Sequence, residues 1–172
     1  MNWESVGWFA VLMIGVFVCV VLHELGHAFS AKRYGVRTKD IILSPLGGVA
    51  RLDGLPEKPI DESVVAFAGP LVNILLAGIF GGYGWMTSSI DLSNIGASRL
   101  VFGNPENFVT LFLIINIFLS FFNLIPAFPM DGGRIFRSLL SPSLGRRRAT
   151  LITTYLGQGI AVLLVGLACF LV

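Results

Sequence analysis

His23-Glu24-Leu25-Gly26-His27 places two imidazoles and a carboxylate within five residues, at the end of an apolar run. On a helix, residues four apart share a face with Cβ atoms about 6 Å from each other. His23 and His27 can therefore bind one metal ion, and Glu24, one residue round the helix, can reach a water at that metal's open position. This is the HExxH arrangement of zinc hydrolases. The pattern alone arises by chance in large sets of sequences. Inside a membrane span it carries more weight, because an ionisable side chain at bilayer depth costs about 2.5–3.5 kcal/mol on insertion scales and needs a reason to be there.

A catalytic zinc takes three protein ligands and leaves a position open for water, and the chain has only two histidines. The third ligand must be a carboxylate, a thiolate or another group at the same depth. Asp131 follows Asn123-Leu124-Ile125-Pro126-Ala127-Phe128-Pro129-Met130 and precedes Gly132 and Gly133. The prolines break the helical ladder, and the glycines permit unusual backbone angles. Broken backbone at membrane depth survives only where protein buries it or it lines a wet cavity. Asp131 is then either aimed inward at the histidines or a cap for the next helix, GGRIFRSLL. Asp40, Asp53, Glu57, Asp61 and Glu62 read as solvated loop carboxylates, while Glu4, Asp91 and Glu106 belong to the opposite side. Cys19, one turn before His23, is either a thiolate ligand or a small packing residue. Asn73, in Ala68-Gly69-Pro70-Leu71-Val72-Asn73, either donates to a substrate backbone or oxyanion or makes an interhelical hydrogen bond. Asn116 and Asn123 face the same choice. Gly78 and Gly82 read as a helix-packing face.

The elements that hold these residues follow from composition. Hydrophobic residues make up 55% of the 172 and charged residues 13%, against roughly 25% charged in a soluble domain; mean hydropathy is +0.82. That excludes an ordinary soluble enzyme and a disordered chain. A net charge of only +2 disfavours a nucleic-acid binder. The two cysteines lie in apolar runs and form no secreted disulfide framework. Residues 8–31, 64–86, 108–130 and 151–172 are each long and apolar enough to cross a bilayer, which takes about 20 residues. The expected fold is an all-α membrane protein, a bundle of about four transmembrane helices in a single domain, 1–172. The opening does not read as a convincing signal peptide: no basic residue precedes the apolar run and no small-x-small site closes it.

Charge sets the direction. Lys32, Arg33, Arg37, Lys39, Arg51 and Lys58 lie between the first and second spans, and Arg134, Arg137, Arg146, Arg147 and Arg148 between the third and fourth; of the 12 basic residues only Arg99 lies between the second and third. The alternation puts the N-terminus outside. His23 is then about 15 residues, or about 22 Å, from the outer face, toward the cytosol. The Arg146–Arg148 run sits at headgroup depth and reads as topology rather than recognition of one lipid. Residues 36–53, β-branched around Pro45-Leu46-Gly47-Gly48, predict a short cytosol-side β-hairpin. Its edge, Ile41 to Leu52, offers a place for an added strand.

Taken together, HExxH in one span, Ala68-Gly69-Pro70 with Asn73 in the next, and NLIPAFPMDGG over Asn123–Gly133 resemble the site-2 protease family of intramembrane zinc metalloproteases, over residues 8 to 172. VVLHELGHAFSAKRYGV, LSPLGGVARL and FNLIPAFPMDGGRIFRSLLS are similar to archaeal and bacterial members. The resemblance implies one zinc ion on His23, His27 and Asp131, Glu24 as general base, and a single-pass transmembrane protein as substrate, cut near the cytosolic face in regulated intramembrane proteolysis. Many members carry spans before the HExxH helix, and neither a PDZ-like insertion nor a CBS-like domain lies within these 172 residues. Two rivals are a divalent-metal transporter, which needs ligands along a route to both faces, and a catalytically silent membrane-binding homologue. The outer halves of the spans lack charged residues, against the first, and Glu24 is intact, against the second.

Overall fold

The computed structural model describes residues 3–44, 47–54, 56, 58–90 and 107–171. Asp91, Arg99, Glu106 and Glu57, and with them most of the segment 87–107, lie outside the described residues. Helix α1 runs Trp3–Arg33, strands β1 and β2 are Thr38–Ser44 and Gly47–Leu52, and helices α2 to α5 are Pro59–Met86, Phe108–Asn123, Asp131–Leu144 and Arg146–Leu171. Three of these helices, α1, α2 and α5, are long and apolar enough to span a membrane.

The expected third span needs correction. Its helix, α3, is 16 residues long and stops at Asn123, giving about 24 Å at 1.5 Å per residue. Proline disfavours helical geometry in the residue before it and supplies no N–H. With Pro126 and Pro129 ahead, the chain leaves the helix and descends through turns, bonded Ile125 N–H to Phe122 O and Met130 N–H to Ala127 O, until α4 starts at Asp131. Gly132 and Gly133 are helical rather than bent; their role is proximity. A Cβ on Gly132 would stand 2.3 Å from the Leu124 carbonyl oxygen, and one on Gly133 2.6 Å from the Ala127 carbonyl carbon. α4 therefore packs directly on the broken segment.

Between the spans, β1 and β2 pair antiparallel, with Ile42 opposite Val49 and Ser44 opposite Gly47. Residues 45 and 46, which join them, lie outside the described set. The Asp53 N–H closes on the Arg37 carbonyl at 2.7 Å, fastening the ribbon's base.

α2 packs against α1, α3 and α4. In the half away from the ribbon the filling is aromatic: Phe112 stacks on Phe80 at 5.2 Å, and its ring fills the space a side chain at Gly15 would need. Gly78 and Gly82 do not form the packing face, since a Cβ at either would meet nothing within 4 Å. The glycines turned to α3 are Gly81 and Gly84, facing Leu113 and Val109. In the half toward the ribbon the interior is polar. Glu62, expected to be solvated, is 4% exposed and ion-paired with Arg137 of α4. Beside it Ser63 bonds Ser138, and the Arg137 guanidinium lies over the Phe128 ring. Loop position misled the sequence reading here: Glu62 falls in the first turn of a helix whose inner face is covered by α4.

Candidate metal centre

His23 and His27 project from the same face of α1, their rings edge-on at 81° with centroids 4.8 Å apart. Asp131, 104 residues further along, meets them both. Its Oδ2 lies 3.1 Å from His23 Nε2 and 3.1 Å from His27 Nε2, and the two Nε2 atoms are 3.2 Å apart. All three residues are buried. Of the two readings of Asp131, the inward one holds: Asp131 is the first residue of α4 and Met130 occupies the cap position, with no side-chain cap bond.

Whether this donor set fits a metal can be judged from protons and distances. The Nδ1–H of His27 donates to the Val65 carbonyl at 2.8 Å, so in the neutral ring Nε2 carries a lone pair directed at its neighbours. Two imidazole nitrogens and a carboxylate oxygen converging in a buried place are suited to share one positive charge. Ligands of a tetrahedral zinc at about 2.0–2.1 Å stand roughly 3.3–3.4 Å from one another, close to the observed triangle. α2 also comes close here only because residue 69 is glycine: a Cβ on Gly69 would lie 2.3 Å from His27 Nε2 and 2.7 Å from His23 Nε2, crowding both rings. The residues fit a zinc ion with three protein ligands.

α2 supplies the surrounding support. Pro70 has no N–H to return to Ala66, so the helical ladder is interrupted one residue from the Val65 carbonyl that orients His27. Asn73, wholly buried, sets its side-chain nitrogen 3.1 Å from His23 Nδ1. Glu24 is buried next to His23. Cys19 is buried as well, but its Sγ is met by the Asn116 amide at 3.5 Å and is not among the converging donors. Sequence reasoning missed Gly69 and the Val65 carbonyl. The available signal was the Gly-Pro pair at membrane depth, where an interrupted helix needs a purpose.

An apolar helix bundle whose one broken segment delivers an aspartate to an HExxH pair defines a membrane metallopeptidase type of site. The profile of peptidase family M50 matches residues 11–167. A zinc metalloprotease of Methanocaldococcus jannaschii is 42% identical over 161 residues, 94% of this chain and 43% of that protein. Stage IV sporulation protein FB of Bacillus subtilis is 30% identical over 138 residues, 80% of this chain and 43% of that protein. The solved structure of the site-2 protease from Methanocaldococcus jannaschii superposes with a TM-score of 0.67 at 36% identity, covering 96% of this chain and 79% of that one. The chain belongs to peptidase family M50 and is of the site-2 protease type. It spans less than half the length of the two curated relatives.

Proposed function

We propose that the chain is an intramembrane zinc metalloprotease that hydrolyses a peptide bond in or near the transmembrane helix of a membrane-protein substrate. The observation that carries this reading is the near-equilateral triangle of His23, His27 and Asp131 donors, with Gly69 leaving room for both imidazoles. His23, His27 and Asp131 would hold the zinc, which when bound polarises the scissile carbonyl and acidifies water. Glu24 takes the proton of the attacking water on its carboxylate and returns it to the amide nitrogen as that nitrogen leaves. The surrounding α2 and α4 exclude lipid, and water arrives from the end that carries the basic residues. The N-terminus lies outside and the centre toward the cytosol.

The test compares wild type with Glu24→Gln, measuring bound zinc and cleavage of a single-pass model substrate in detergent and in vesicles. Zinc is expected to stay bound in both, with cleavage falling at least about 100-fold in the variant, the lower end of a general acid–base contribution. Equal cleavage removes Glu24 from the mechanism, and metal uptake into vesicles without cleavage supports transport instead.

A helical substrate hides its peptide bonds in its own hydrogen bonds and must unwind first. The β1–β2 ribbon beside α1, two-stranded among the described residues, offers a strand edge to receive the unwound segment. Prolines placed singly along Ile41–Leu52, at positions whose N–H points away from the partner strand, are expected to lower cleavage with zinc content unchanged. A scan with no effect on cleavage rules the edge out.

A further inference from the structure

Among the described residues two buried amide oxygens, Asn73 Oδ1 and Asn116 Oδ1, have no hydrogen-bond partner. Only Asn73 adjoins the metal centre, its Nδ2 facing His23 Nδ1 at 3.1 Å. An unpaired buried amide oxygen is costly, about 1–3 kcal/mol, and more so in a membrane interior. In this orientation the amide donates, so His23 Nδ1 accepts and the ring proton sits on Nε2, the atom facing Asp131. A metal on Nε2 requires the opposite tautomer, with the proton on Nδ1. Nδ1–H then faces a second donor, and both cannot stand. Turning the terminal amide by 180° removes both conflicts at once: Oδ1 gains a proton to accept, and His23 is fixed with its Nε2 lone pair toward the centre.

We propose that Asn73 is a positioning residue that sets the His23 tautomer, its Oδ1 accepting the Nδ1–H so that the Nε2 lone pair is left for zinc. The inference rests on the zinc reading above. His27 needs no such device, because the Val65 carbonyl can only accept and holds its Nδ1–H in either state. The two ligands are therefore supported unequally: one by a fixed backbone acceptor, the other by an amide that serves both tautomers. With its polar end against His23, Asn73 acts on the reaction through the histidine rather than by holding an oxyanion.

The chain has only two histidines, so a histidine-selective nitrogen-15 label reports both rings without overlap. In zinc-loaded wild-type protein both His23 and His27 are expected in the Nδ1–H form. Zinc affinity, read by chelator competition, is expected to fall about 10–100-fold in Asn73→Ala, the usual cost of losing such a support. It recovers in Asn73→Asp, which offers acceptors only. Asn116→Ala, which removes an equally buried amide on α3, is expected to leave affinity within about twofold. Wild type that binds zinc with His23 as the Nε2–H form overturns the inference, as does Asn73→Ala that keeps wild-type affinity while losing cleavage, the result an oxyanion role gives. A wild type that binds no zinc overturns the metal reading as well, so the two failures are told apart.

Discussion

Gly69 is where a single hydrogen atom matters most. Its missing Cβ occupies the position between the two imidazoles, closer to both Nε2 atoms than any van der Waals contact allows. Gly69→Ala therefore forces a histidine off the centre or α2 away from α1. Displacements of about 1 Å at a reacting site cost on the order of 100-fold in rate. The expected outcome is zinc content well below one per chain, with cleavage down by at least that factor and helix content by circular dichroism intact. Gly78→Ala, with open space around it, serves as the control and is expected to match wild type in both. The contrast between these glycines of one helix was invisible in the sequence. Spacing marked Gly78 and Gly82, whereas contact selects Gly69, Gly81 and Gly84.

At the scale of the element, the metal pair was legible because it is local: i and i+4 on one helix is fixed by helical geometry. Asp131 was half legible. Its prolines announced a break, but the break's direction depends on α4 packing onto Leu124 and Ala127 through Gly132 and Gly133, a contact between segments. The Glu62–Arg137 pair was not legible, since 75 residues separate the partners and each alone reads as surface charge. This pair ties α2, which carries Gly69 and Asn73, to α4, which carries Asp131. Breaking a buried pair by removing one partner costs about 3–5 kcal/mol, while replacing both by apolar groups is often neutral. Arg137→Met is expected to lower thermal stability in detergent and to weaken zinc retention through Asp131. Glu62→Leu combined with Arg137→Met is expected to recover most of both, measured by thermal unfolding and metal analysis. A double variant no better than the single would show that the pair's charge, not its packing, sets the position of α4.

Across the described residues, basic side chains and tryptophans sort to opposite ends. Lys32 and Arg33 close α1, Lys58 precedes α2, and Arg146, Arg147 and Arg148 open α5. All three tryptophans, Trp3, Trp8 and Trp85, lie at the other end, at the start of α1 and the finish of α2. Basic residues favour the cytosolic face, and tryptophan favours the headgroup level. From Trp8 to Lys32 is 24 residues, about 36 Å of helix, close to bilayer thickness. His23 stands nine residues from Lys32, about 14 Å beneath the basic face, shallow enough for water to reach it from that side and deep enough to meet a membrane-embedded helix. This sorting supports the proposed orientation, with the Trp-bearing end outside. In a Cys169→Ala background, which removes the exposed thiol, a cysteine in place of Glu4 is expected to react with a membrane-impermeant maleimide on intact cells. One in place of Arg148 is expected to react only after permeabilisation. The reverse pattern would put the metal centre under the outer leaflet and overturn the cytosolic supply of water.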